Sequence, residues 1–335
     1  MGDASSTPSA PSAPPTPSSL HFKSITFTGQ RPGPRLIVTG AVHGNETCGT
    51  RAIERVLADI EHGRLALVAG SVTFVPVTNP LAYARGERFG ERNLNRNLTP
   101  TAQPQNFEDH VGNWLCPLLA RHDVLLDLHS TRARNPAFAM LGPADNAGPL
   151  EPFAHFEEER ALALRLGVQR FVDGWLTSYA TGVERRIARM RAEGKQPNLL
   201  TIDPRYGIGT TEYMRSVGGY AITLECGQHE DPAAPDVGHQ AIRNTLAHLG
   251  LSGAAAPPAA ESIESLTLFD VIDRLHPADA FSREWSSFNR LTTGDVIGTR
   301  HDGTQVVAEA DGYIVFPDAK AEAGNEWFYL ARVNG

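Results

Sequence analysis

Two histidines and two acids stand at the ends of apolar runs in this chain. The string LIVTGAVHGNE leads from Leu36 straight into His43 and, three residues on, Glu46. An imidazole nitrogen and a carboxylate are ordinary zinc ligands, and a catalytic zinc takes three protein ligands and leaves a fourth position for water. His129 is the candidate for the third ligand, because in DVLLDLHST it also ends a continuous apolar run that reads as a buried strand. Glu225 ends another such run, in YAITLEC. Taken singly, each has a duller reading as a structural histidine or an ion-paired acid. Open α/β sheets, however, gather functional groups at the carboxyl ends of their strands, so the four together read as one site.

A second cluster lies between them in sequence. The string RGERFGERNLNRNL, residues 85–98, follows a turn signal at Asn79-Pro80 and carries Arg88, Asn95 and Arg96. Arginine binds a carboxylate through two parallel hydrogen bonds and stays charged at any physiological pH. Arg215, ten positions before Glu225 in MRSVGGY, is a further guanidinium within reach of the same pocket. Arginines beside a zinc select acidic substrates; the plainer alternative is a solvated face held by surface ion pairs. His229, close behind Glu225, reads as a surface-loop residue.

The elements that must position these groups are legible in part. Strand-like runs at 36–39, 71–77 and 124–128 alternate with helical ones at about 47–62 and 108–121, and a further helix covers about 237–249. Such alternation suggests an α/β sheet with helices on both faces. Asn45 and Thr47 are plausible caps for the first helix. Residues 1–20 are so rich in Ser, Pro and Ala that they cannot bury enough apolar surface to fold, and read as a disordered tail. Residues 21–251 then form the α/β unit, 252–262 a linker, and 263–335 a β-domain of short alternating segments with turn signals at Asp302-Gly303 and Asp311-Gly312.

Composition narrows the function classes. With 335 residues, 41% of them hydrophobic, the chain can bury a sizeable core. A formal charge of -8 argues against nucleic acid or an anionic membrane as partner. Three cysteines show no paired framework and no zinc-type spacing, which reads as free thiols in a cytoplasmic protein. No signal peptide and no membrane span is expected.

The ordered motifs G-x-x-H-G-N-E at 40–46, an arginine pair closing on L-N-R at 88–96, D-L-H-S-T at 127–131, and Arg215-Ser216 leading to Leu224-Glu225 together resemble the succinylglutamate desuccinylase and aspartoacylase family. Its members are zinc-dependent amidohydrolases related to the zinc carboxypeptidases. The resemblance implies a zinc-carboxypeptidase-like mixed sheet flanked by helices, with a smaller C-terminal β-domain. It implies one Zn2+ per chain on His43, Glu46 and His129, and hydrolysis of the amide bond of a small anionic N-acyl amino acid. By the same likeness Glu225 is the catalytic acid-base, Arg88 polarises the scissile carbonyl, Asn95 and Arg96 hold the substrate carboxylate, and Arg215 grips a second one. The family also suggests a homodimer. Two departures stand out. Asn93 occupies a position that is acidic or small and polar in the family, which points to a changed acyl-side pocket; and the tyrosine contributed by the C-terminal domain has two candidates, Tyr313 and Tyr329. Two rival functions would use the same residues: a carboxypeptidase acting on peptides, and a non-catalytic relative that only binds its ligand.

Overall fold

The computed structural model describes residues 20–144, 148, 150–194 and 203–334. The expected disordered tail lies outside them except for Leu20.

The apolar runs are strands at the centre of an 11-stranded sheet. Strands β1 (Ile25–Thr28), β2 (Arg31–Thr39), β3 (Ala69–Val75), β4 (Val124–Thr131), β5 (Phe138–Met140), β6 (Arg170–Asp173) and β7 (Tyr220–Gln228) come from the first part of the chain. The remaining members are β8 (Glu264–Asp273), β10 (Asn289–Leu291), β13 (Gly312–Val315) and β14 (Glu326–Val333). Their order is β1-β3-β2-β4-β7-β5-β6-β8-β14-β13-β10. A small second sheet joins β9 (Ala280–Phe281), β11 (Val296–Thr299) and β12 (Gln305–Val307).

The four central strands β3, β2, β4 and β7 run parallel. From β2 the chain passes through helix α1 (Cys48–Glu61) to β3 on one side, then through α2 (Pro80–Arg85) and α3 (Phe107–Leu119) to β4 on the other. That reversal opens a crevice at the carboxyl ends of β2 and β4, where open α/β sheets bind their ligands. His43 and Glu46 follow β2, and His129 closes β4, so the fold brings the expected ligands to this switch point.

Strand side chains alternate between faces, which sorts core from site. Leu36, Val38, Leu126, Leu128, Ile222 and Leu224 pack on one face against α1 and α7 (Ala234–His248). Ile37, Leu125 and Ala221 pack on the other against α3 and α6 (Thr210–Ser216). Residues Thr39, Asp127, His129 and Glu225 therefore share the α6 face by parity alone. Helix α1 begins at Thr47, whose side chain makes no capping hydrogen bond, contrary to the expectation from sequence. Two further helices, α4 (Phe156–Ala163) and α5 (Trp175–Ala192), cover the later strands.

Beyond residue 263 the described elements are strands only. Strand β8 pairs in parallel with β6, so strands on both sides of the segment 252–262 share one sheet. Two apolar clusters fill this part: one around Phe138, Leu268, Val271 and Tyr329, another around Trp285, Ile297 and Trp327. Among the described residues no helix is long and apolar enough to cross a membrane.

Candidate metal centre and active site

His43, Glu46 and His129 offer ligand atoms that all lie within 4.8 Å of one another, and all three residues are buried. The loop that delivers the first two is built tightly. A Cβ on Gly44 would sit 2.0 Å from the carbonyl carbon of Ala82, so only glycine fits there.

The hydrogen bonds around the imidazoles fix which nitrogen faces the cluster. Asn93 Oδ1 accepts the backbone N–H of Asn95 at 2.9 Å, which identifies it as the amide oxygen. His43 Nε2, 3.0 Å from that oxygen, must therefore donate. His129 Nε2 lies 2.9 Å from Asp127 Oδ2, an acceptor, and donates likewise. Both Nδ1 atoms are thus turned toward Glu46: His43 Nδ1 at 2.8 Å from Oε1, His129 Nδ1 at 2.9 Å from Oε2. A lone pair set against a carboxylate is repulsive unless a cation lies between them. For His129, Asp127 and Glu46 outweigh burial and hold the imidazole's pKa well above the ordinary value, so this Nδ1 favours a bound cation. For His43 burial and Arg88 lower the pKa to about 4, leaving a neutral ring whose Nδ1 makes no hydrogen bond. Two imidazoles presenting Nδ1 and one carboxylate, each held from behind, form a donor set that fits a tetrahedral metal with one open position.

Other predicted residues surround this cluster. Glu225 is the register partner of His129 across β4 and β7. It is buried, and its Oε2 has no hydrogen-bond partner. Burial first, then the neighbouring Glu46, push its pKa up to about 8. Arg88 donates from Nη1 to Glu46 Oε1 at 2.9 Å, with its side chain 41% exposed and so open to a ligand. Arg96 is buried, lies over the Trp175 ring at 4.7 Å, and has its nearest carboxylate, Glu326 Oε2, 3.9 Å away. Asn95 uses its Oδ1 to accept the backbone N–H of Thr210 at 2.9 Å, which leaves the amide nitrogen for other partners.

Arg215 is placed differently from its expected position. Its guanidinium donates to Glu159 through Nε and Nη2, to Glu151 through Nη1, and to the Ala221 carbonyl through Nη2. With the side chain 2% exposed, these partners leave no free face for a substrate carboxylate. The spacing of ten residues from Glu225 is present, but the carboxylates of Glu151 and Glu159 decide where the side chain points.

Asn93, expected to reshape an acyl pocket, instead holds His43. Tyr329 and Tyr313 are also separated: the Tyr329 ring lies tilted against Trp175 at 5.2 Å, beside Arg96, and its buried Oη has no partner, whereas Tyr313 is on β13 near the sheet edge. His229 is half-buried and hydrogen-bonds Ser130 Oγ through Nδ1 at 2.9 Å, bordering a cavity of about 670 Å³ with Asn45 and Arg132. Sequence reasoning passed over Asp127, although its place two residues before His129 puts it on the same strand face. It also passed over Thr210, Trp175 and Glu326, which no local pattern marks.

Comparison with known proteins agrees with this geometry. Residues 32–149 match the family described as the succinylglutamate desuccinylase/aspartoacylase catalytic domain, a span containing His43, Glu46, Arg88, Arg96 and His129. Succinylglutamate desuccinylase of Pseudomonas fluorescens is 26% identical over 300 residues, 86% of this chain and 80% of that protein. The enzyme of the same name from Pseudomonas aeruginosa is 26% identical over 319 residues, covering 90% and 85%. Among solved structures, a succinylglutamate desuccinylase/aspartoacylase from Rhodobacter sphaeroides superposes with a TM-score of 0.69 at 17% identity, covering 94% of this chain and 90% of that one. The ectoine utilization protein EutE (DoeB) from Ruegeria pomeroyi gives 0.66 at 18%, covering 92% and 88%. The fold, the order of the motifs and these relatives agree: residues 32–149 match the succinylglutamate desuccinylase/aspartoacylase catalytic domain, and the chain shares the zinc-carboxypeptidase-like fold of the solved structures it resembles.

Proposed function

We propose that this protein is a zinc-dependent amidohydrolase that splits a small anionic N-acyl amino acid into a carboxylate and a free amino acid. The observation that carries the reading is the buried His43–Glu46–His129 cluster, whose inward lone pairs need a cation, with the unpartnered Oε2 of Glu225 beside it. Bound to those three residues, zinc supplies Lewis acidity and a water whose pKa falls to about 7.

The chain's own residues do the rest. Glu225 takes a proton from the attacking water and returns it to the amide nitrogen as the C–N bond breaks, because an unprotonated amine is a poor leaving group. Its buried, acid-rich surroundings favour carrying that proton. Arg88 directs fixed positive charge at the carbonyl oxygen, an effect worth about 3 kcal/mol for one well-placed donor. Arg96, its guanidinium over the Trp175 ring, and the amide nitrogen of Asn95 hold the carboxylate of the amino acid and orient the amide. Glu326 and Tyr329 of β14 stand over the Arg96 end, which favours a small substrate over a polypeptide. A cytoplasmic setting, in keeping with three buried free thiols, and a homodimer are parts of the same proposal.

A panel of N-acetyl, N-succinyl and N-formyl amino acids tests the reading and identifies the acyl group. Hydrolysis should stop with a chelator and return with zinc. Glu225→Gln should retain the metal and lose turnover by about 100-fold or more; undiminished turnover in that variant would sink the mechanism.

A further inference from the structure

The two ligand histidines are held from behind by different residues, yet the hydrogen bonds join. From His43 Nε2–H the path runs to Asn93 Oδ1, which also accepts the Asn95 N–H. Asn95 Oδ1 accepts the N–H of Thr210, and Thr210 Oγ1–H donates to Asp127 Oδ2. The same Asp127 oxygen accepts from His129 Nε2. Thr39 Oγ1–H satisfies the other Asp127 oxygen at 2.6 Å. The neighbouring backbone is laid along this path, with Asn97 N–H on the Tyr206 carbonyl at 2.8 Å and Leu98 N–H on the Ile208 carbonyl at 3.0 Å. A Cβ on Gly209 would sit 2.0 Å from Asn95 Oδ1, so glycine is needed for the approach.

Building on the metal-dependent reading above, we infer that Thr210 is a positioning residue. It joins both ligand histidines and the segment bearing Asn95 and Arg96 through one hydrogen-bonded chain, so that the metal site and the carboxylate seat are set together. Thr210 is fully buried and meets this hydrogen-bonded chain through both its backbone N–H and its hydroxyl. It has no contact with the Glu46 carboxylate or with either Nδ1. Its influence on the metal passes through Asp127 and His129, and its influence on the carboxylate seat through Asn95.

The test is zinc affinity of the full-length metal-free protein, measured by competition with a chromogenic chelator and independent of any substrate. Thr210→Val keeps the shape and the backbone N–H but removes the hydroxyl; affinity should fall by about 10–100-fold, the usual cost of losing such an outer partner. Thr210→Ser should restore it. Asn93→Ala, toward the other end of the hydrogen-bonded chain, should also weaken zinc binding, and the double variant should lose less than the product of the single effects, because a chain already broken has less to lose. Unchanged affinity in Thr210→Val, no rescue by serine, or strictly multiplicative effects would each overturn the inference. Should the valine variant not fold, Thr210→Ala against Thr210→Ser provides the same comparison. Wild-type protein that fails to bind zinc overturns the proposed function and this inference with it; tight wild-type binding matched by Thr210→Val overturns this inference alone.

Discussion

Arg96 and Arg215 are both buried, and the family resemblance offers both as grips for a substrate carboxylate, yet they stand in opposite electrostatic settings. Arg96 lies against Trp175, with Tyr179 5.7 Å from its guanidinium and a single carboxylate 3.9 Å away. Arg215 faces three, with Glu151 at 2.8 Å, Glu159 at 3.0 Å and Glu212 at 3.7 Å. A guanidinium has five N–H donors in a fixed fork, and what it can bind depends on how many are already engaged. Among the described residues Arg96 makes one hydrogen bond, from Nη1 to the Asn95 carbonyl at 2.9 Å, whereas Arg215 makes four, three of them to carboxylate oxygens. On the proposed function, the same residue type thus serves recognition at Arg96 and cohesion at Arg215.

The largest expected effect is on cohesion. Arg215→Met removes the one cation that, among the described residues, pairs with Glu159, a fully buried carboxylate that would keep the backbone N–H groups of Gly142 and Ala221. Breaking a buried pair from one side costs about 3–5 kcal/mol, so Tm should drop sharply while the folded fraction keeps its KM within about threefold. A variant of normal stability whose KM rises roughly 100-fold would show that Arg215 reaches the substrate and would end the contrast. Next comes Arg96→Lys, which keeps the charge but loses the planar fork. KM should rise about 100-fold, the scale of a misplaced substrate, with zinc affinity and Tm near wild type. A large loss of Tm with unaltered KM would instead make Arg96 the structural arginine.

This contrast also marks what could be read from the sequence. The candidate ligands His43, Glu46 and His129 and the candidate acid Glu225 can be picked out because each ends an apolar run, and the carboxyl ends of parallel strands converge in such sheets. Their common placement follows from local pattern plus fold class. Asn93 and Thr210 could not be found this way, since Asn93 meets His43 across 50 positions and Thr210 meets Asn95 across 115. Arg215 shows the converse: its spacing from Glu225 is conspicuous, but Glu151 and Glu159, 64 and 56 positions away, determine its partners. Helix α5 also escapes the pattern, because Gly182 and a run of charged residues interrupt its apolar period. Local periodicity reports where a side chain starts, and long-range charge pairing decides where it ends.

The smallest effect concerns the surplus charge around Arg215. Glu151 ion-pairs with Arg215, yet its pKa is raised to about 7, chiefly by burial, with Glu212 and Glu159 adding to it against the pull of the arginine. One guanidinium does not neutralise three carboxylates. A carboxyl whose folded pKa lies above the unfolded value, about 4.3 for Glu, carries no penalty below that value. Its penalty grows as pH rises through the window from about 4.3 to 7 and is complete above it. Glu151→Gln removes the ionisation while keeping a hydrogen-bonding side chain, so it should stabilise the fold at pH 8 by about 1 kcal/mol, a figure discounted for the coupling among these groups. At pH 4 the variant should match wild type. Urea unfolding at the two pH values checks both points. Destabilisation at pH 8 would mean that Arg215 needs all three carboxylates, and that its pocket is balanced where Arg96 is open.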